Sequence, residues 1–302
     1  MIQSSSAAVI DLGTNSIKFI LAEKTSENTL NILHEETAEV RIGSGIGQNS
    51  PRLEESAIER VCDTIVSLIQ TKERYRIEPL RIVATSAARE AKNSNRLQET
   101  IKAKTGVQLE ILSGESEAYY IGQAIQMNAK YQKIGTLNSI DLGGGSLEWI
   151  HLNNNHVEKA LSLPLGAVRI TEQFIKEPAQ AISKDMILTI ENHVRNILSK
   201  NEIILSAQCP LLGSGGAFHI LKQVLKKASP FALKDIQELA LASAHLPIQG
   251  RIDDLNIPAK RADIIPAALI TIATFMNHFD IDQIEHSKYS LKMGILKEML
   301  GL

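Results

Sequence analysis

One pattern occurs twice in this chain and constrains its fold more than any other feature. Ala8-Val9-Ile10-Asp11-Leu12-Gly13-Thr14-Asn15-Ser16-Ile17-Lys18-Phe19 repeats as Asn138-Ser139-Ile140-Asp141-Leu142-Gly143-Gly144-Gly145-Ser146-Leu147-Glu148-Trp149. Ile, Asp, Leu, Gly and Ser match in register. In the second copy, Leu137 to Ile140 reads as a strand that ends on the carboxylate of Asp141. Three glycines and a hydroxyl follow, then a second carboxylate. Glycines lack a Cβ, so backbone N–H groups can turn toward one point and approach an anion closely. A carboxylate at the strand end suits a divalent cation beside that anion. Gly13, Thr14, Asn15 and Ser16, and Gly143, Gly144, Gly145 and Ser146, are therefore candidate phosphate contacts, weighed against a plain tight hairpin. Two like loops predict two similar lobes facing each other across a phosphate-sized cleft.

The rest of the chain repeats this layout. Residues 7–23 alternate and turn at Ser26-Glu27-Asn28, and Leu30 to Ile42 supplies a third strand. Gly43 to Pro51 reads as a mobile loop. Leu53, Ala57, Ile58, Val61, Ile65, Leu68 and Ile69 recur at helical spacing. Strand Leu80 to Ala84 runs into Thr85 to Ala91. Strand Val107 to Leu112 leads to Ser113, a predicted N-cap for a helix reaching Ala129. In the second half, strands are predicted at 136–141, 146–152 and 156–163 and helices at 167–175 and 183–199. Strand Pro210 to Leu212 meets Gly213-Ser214-Gly215-Gly216. Helices from 234 and 263, a strand at 281–284 and a helix at 289–301 complete it. Three early strands and then alternation, in each half, predict an α/β fold with mixed sheets. The predicted lobes are 1–130, joined by the helix at 289–302, and 131–288.

Composition excludes several classes. The 302 residues carry a formal net charge of −2, so no bulk field draws nucleic acid or anionic lipid. Cys62 and Cys209 fit no metal spacing, and so few cysteines suit a reducing cytoplasm. Met1 leads through Ser4-Ser5-Ser6 straight into a strand, so no signal peptide is expected. No apolar run reaches the ~18 residues of a membrane span. The longest, Ile264 to Met276, reads as a buried helix interrupted by Pro266.

Seven ordered motifs resemble the exopolyphosphatase/guanosine pentaphosphate phosphohydrolase family. They are Asp11 to Ser16, Ala84 to Ala91, Leu112 to Ala118, Asp141 to Glu148, Leu165 to Arg169, Gly213 to Gly216 and Arg261 to Asp263. The family belongs to the superfamily of acetate kinase, sugar kinases, Hsp70 and actin, so the resemblance implies two ribonuclease-H-like lobes with an interlobe cleft. It implies a cytoplasmic phosphoanhydride hydrolase dependent on Mg²⁺ or Mn²⁺ that releases terminal orthophosphate from inorganic polyphosphate. Guanosine pentaphosphate is the alternative substrate, and an actin-like nucleotide-sensing or scaffold protein the alternative outside enzymology. A homodimer is a candidate assembly. The resemblance places Glu117 as the group that activates water and Arg89 as a phosphate contact. Asp141 and Glu148, with Asp11, are the metal candidates. Lys18, Arg169, Gly215 and Arg261 are further phosphate candidates. Lys18, Ser116 and Ala217 depart from the residues usual at those positions, which are Arg, Glu and Thr.

Overall fold

The computed structural model describes residues 5–205 and 209–302. The expectation that residues 1–4 lead directly into the first strand lies outside the described residues. Contacts divide the chain into two units. One runs to Gln132 and takes back Tyr289–Leu302, and the other spans Lys133–Lys288.

The first unit holds β1 (Ser6–Leu12), β2 (Ser16–Lys24), β3 (Leu30–Glu39), α1 (Glu55–Tyr75), β4 (Leu80–Ala84), α2 (Ser86–Glu90), α3 (Ser94–Thr105), β5 (Leu109–Ile111) and α4 (Gly114–Ile125). Its sheet runs in the order β3-β2-β1-β4-β5. β1 to β3 form an antiparallel meander, and β4 and β5 lie parallel to β1. β1 is buried from Ala7 to Leu12. A strand covered on both faces reads as a continuous apolar run rather than an alternation. β3 lies at the edge, half exposed, with Glu35 and Glu36 toward solvent. α1 buries Ala57, Ile58, Val61, Cys62, Ile65 and Leu68 on one stripe and stops at left-handed Arg76. In register, Leu12 pairs with Ala84 and Ala84 with Ile111, so the carboxyl ends of three parallel strands lie side by side.

The last helix, Leu291–Leu300, packs on α4 and β1. The approach is backbone to backbone: a Cβ on Gly294 would fall 1.8 Å from the Tyr120 carbonyl oxygen. Arg81 ties it further, donating to Glu298 at 2.8 Å and to Glu110 at 2.7 Å.

The second unit holds β6 (Thr136–Leu142), β7 (Leu147–Asn153), β8 (His156–Leu163), α5 (Ala167–Phe174), α6 (Lys184–Ser199), β9 (Leu211–Gly215), α7 (Gly216–Leu225), β10 (Phe231–Ala232), α8 (Leu233–His245), α9 (Ile248–Asp253), α10 (Ile265–His278) and β11 (Gln283–His286). Its sheet order is β10-β11-β9-β6-β7-β8. Read from β8, this is the order of the first unit with one short strand added. α10 is buried from Ile265 to Met276 and has no polar stripe. Pro266 lies in its first turn, where the missing N–H costs nothing, so it opens the helix instead of breaking it. Arg251 is fully buried and donates to the carbonyls of Ser243, Pro178, Gln180 and Ala262, pinning four segments.

Two local expectations change. The strand after Pro210 continues to Gly215, so Gly213 and Ser214 are strand residues held by pairing with Ile140 and Asp141. The segment after β3 is anchored rather than mobile: Ile42, Gly43 and Ile46 are buried, and Gly43 N–H donates to Thr14 O at 2.9 Å. Among the described residues, no helix is long and apolar enough to cross a membrane.

Candidate functional site

The second unit gathers its predicted residues at the carboxyl ends of parallel β6 and β9, the edge where open α/β sheets bind ligands. Asp141 and Glu148 face each other directly across the β6–β7 ladder, which puts their Cβ atoms about 5 Å apart. Both are buried. Ser214 Oγ donates to Asp141 Oδ1 and Ser162 Oγ donates to Glu148 Oε1, each at 2.7 Å. Two like charges at this spacing repel. A hard cation relieves that repulsion, and Mg²⁺ takes one or two carboxylates and fills its remaining positions with water and phosphate oxygens. The pair therefore fits Mg²⁺. Among the described residues, no cluster of three or more His, Cys, Asp or Glu forms a fuller ligand set.

The glycine loop beside this pair is shaped from behind. Gly143 N–H donates to Ser146 O at 3.0 Å and closes the turn. Ala167 N–H donates to Gly143 O at 3.0 Å, and Val168 N–H to Gly144 O at 2.8 Å. Arg169 gives its N–H to Gly144 O and its Nε–H to Gly145 O at 2.7 Å. The first turn of α5 thus takes up the loop's carbonyls with amides that a helix start leaves without internal partners. Gly166 permits the contact: a Cβ there would lie 2.2 Å from Gly145 C and 2.3 Å from Ser146 N. Gly215, at φ +103°, passes so close to β6 that a Cβ would lie 2.3 Å from Leu142 O. The Arg261 guanidinium rests on Gly216, where a Cβ would meet its Nη1 at 2.1 Å.

The first unit builds the same loop with different chemistry. Gly13 N–H donates to Ser16 O at 3.0 Å. Gly13 and Gly143 were candidate amide donors to phosphate; both N–H groups close turns instead. The amides of Thr14, Asn15, Ser16, Gly144, Gly145 and Ser146 remain the candidates. The cross-strand partner of Asp11 is Lys18, with Nζ 3.9 Å from Oδ2. Where the second unit sets a carboxylate opposite its aspartate, the first sets a cation. Asp11 accordingly has the weaker case as a metal ligand.

Arg89 and Glu117 meet in the first unit. Arg89 Nη1 lies 3.0 Å from Glu117 Oε2 and also donates to Leu112 O at 3.0 Å. Glu117 is buried in the first turn of α4, whose N-cap Ser113 accepts from Ser116 N–H. Arg89 thus pairs with Glu117, not with its neighbour Glu90, which accepts from Ser86 Oγ. Thr85 N–H donates to Leu12 O and Thr85 O accepts from Arg89 N–H, so the pair is tied to the end of β1. Reading the sequence assigned no site role to Ser162, Arg41 and Gly43, nor to Gly166, which it placed only within the Leu165 to Arg169 motif. Ser162 lies on the third strand itself, opposite Glu148, while Gly166, Arg41 and Gly43 follow the third strand of their units, where Val40-Arg41-Ile42 and Val168-Arg169-Ile170 repeat the same three residues.

The Ppx/GppA phosphatase family model matches residues 20–302. The bifunctional 3-dehydroquinate synthase/phosphatase of Fusobacterium nucleatum is 26% identical over 96% of this chain and 46% of its own length. The chain spans about half the length of the curated relatives it matches. A solved Ppx/GppA family member from Aquifex aeolicus superposes with a TM-score of 0.80 at 24% identity, covering 98% of both chains. An exopolyphosphatase structure from Cytophaga hutchinsonii gives 0.86 at 23% identity, again over 98% of both chains. These two structures share the fold of two mixed sheets with helices described above. The match over nearly the whole chain places it: this protein belongs to the Ppx/GppA phosphatase family.

Proposed function

We propose that the chain is an exopolyphosphatase that releases terminal orthophosphate from inorganic polyphosphate. The observation that carries the proposal is the matched pair of loops whose carbonyls are drawn back by a second segment, which favours the backbone amides as the groups that meet an anion. A linear polyphosphate offers many identical phosphates and no base, so amides and guanidinium groups suffice to read it. Of the aromatic side chains near the motifs, Tyr119 is exposed beside Glu117 and three others are withdrawn. Phe19, Trp149 and Phe218 are fully buried in cores, leaving no stacking platform among those three. Guanosine pentaphosphate is the second reading, favoured by family membership alone.

In this mechanism Glu117 takes the proton of the attacking water, and Arg89 fixes the orientation of its carboxylate. Thr14, Asn15, Ser16, Gly144, Gly145 and Ser146 bind phosphate through backbone amides and hydroxyls, assisted by Lys18 and Arg261. Asp141 and Glu148 hold Mg²⁺ or Mn²⁺, which supplies charge neutralisation at phosphoryl oxygens when bound. Phosphate release from polyphosphate, guanosine pentaphosphate and ATP, at low and high salt, tests the proposal. Polyphosphate should give the highest kcat/KM, falling as salt screens its charges. Glu117→Gln should lower kcat by ~10²- to 10⁴-fold with little change in affinity. Higher efficiency on guanosine pentaphosphate would replace the substrate, and a parent-like Glu117→Gln would remove the base.

A further inference from the structure

The segment leaving the third strand does the same work in both units, and in the first unit nothing so far assigns it a role. After β8, the α5 start clamps the second loop, with the Arg169 Nε–H on Gly145 O. After β3, Val40 and Arg41 both give their N–H to Asn15 O, at 3.2 and 2.9 Å, and Gly43 gives its N–H to Thr14 O. Arg41 then donates its Nε–H to the Asn15 side-chain oxygen at 3.1 Å. Asn15 and Gly145 occupy the same position in the repeat. Each unit therefore places one arginine after its third strand with Nε on that loop position. One acts through the tip of a helix and the other through an irregular turn.

The backbone supplies a second, independent observation. Arg41 sits at φ +43°, a region that L-residues other than Asn, Asp and Gly rarely adopt. Glycine would hold that turn without strain. A bulky side chain kept in a strained backbone points to use of the side chain. Gly43 completes the clamp: a Cβ there would meet Thr14 Cγ2 at 2.2 Å, so the turn lies against the loop.

We infer that Arg41 is a positioning residue for the phosphate loop of the first unit, acting through Asn15. The inference rests on the proposed phosphate hydrolysis for its kinetic readout. Arg41→Gly is the clean perturbation, because it removes the side chain and relaxes the backbone at once. It should raise KM for polyphosphate about tenfold, the effect of one lost hydrogen bond, change kcat less, and leave the melting temperature equal or higher. Asn15→Ala should reproduce the KM effect, and the double variant should be no worse than the poorer single one. Multiplying effects in the double variant, an unchanged KM, or a lower melting temperature with parent kinetics would overturn the inference. A parent enzyme that releases no orthophosphate from any of the substrates refutes the hydrolase reading instead. The clamp is then decided by amide hydrogen exchange. Faster exchange at residues 14–16 in Arg41→Gly, with 144–146 unchanged, supports it, and identical exchange overturns it.

Discussion

Gly166→Ala is the most informative single change in the second unit. The added Cβ would stand 2.2 Å from Gly145 C, 2.3 Å from Ser146 N and 2.4 Å from Gly144 O. All three are backbone atoms, so no rotamer change relieves the clash. Reaching ordinary contact at 3.4 Å requires α5 and the loop to separate by about 1.2 Å. The Val168 N–H to Gly144 O distance would then grow from 2.8 Å to about 4 Å, and Ala167 N–H to Gly143 O from 3.0 Å to slightly more, beyond hydrogen bonding. Two or three bonds at about 1 kcal/mol each make about 2–3 kcal/mol. If that energy holds the loop in its binding form, kcat/KM for polyphosphate falls about 30- to 150-fold. Gly135→Ala is the control, because a Cβ there meets nothing within 4 Å. The assay is initial-rate phosphate release by both variants beside the parent. Parent-like kcat/KM in Gly166→Ala, or an equal loss in Gly135→Ala, would refute the clamp as the source of the loop's shape.

Three further outcomes follow from the packing. Gly294→Ala should cost about 1–3 kcal/mol of stability in denaturant titration, because its Cβ would strike the Tyr120 carbonyl and lift the last helix from α4. Arg251→Met should destabilise the second unit by about 3–5 kcal/mol, since four carbonyls lose one shared charged donor; thermal unfolding measures it. Burial holds His286 below its ordinary value of 6.5, with His219 and Lys222 pushing the same way, and burial also lowers His193. The unfolded chain then binds more protons than the folded one below about pH 6.5. Stability should fall as pH drops through that value toward the folded-state pKa values, and His286→Gln should flatten part of the slope in melting curves recorded from pH 7.5 to 5.

The sequence alone determined the repeated sheet and the loops at its carboxyl edge. Ala7 to Ile10 and Ile265 to Met276 are legible because β1 is covered on both faces and α10 is buried all round, so burial wrote itself into runs of residues. The Asp-Leu-Gly-x-x-Ser repeat located both loops, since glycine and hydroxyl at fixed spacing have few other uses. Tertiary structure decided what those loops present. Whether Gly13 and Gly143 offer their N–H groups or close a turn depends on Ser16 and Ser146 folding back. Which carbonyls are withdrawn depends on Val40 to Gly43 and on Gly166 to Arg169, segments that share only a short Val-Arg-Ile run and reach the loops only when the third strand ends beside them. The pairing of Arg89 with Glu117 likewise joins residues from different elements, brought together by the register of β4 and β5. Periodicity records which face of an element is buried. It does not record which distant backbone will lie against a loop, and that contact sets the direction of every hydrogen bond the site can make.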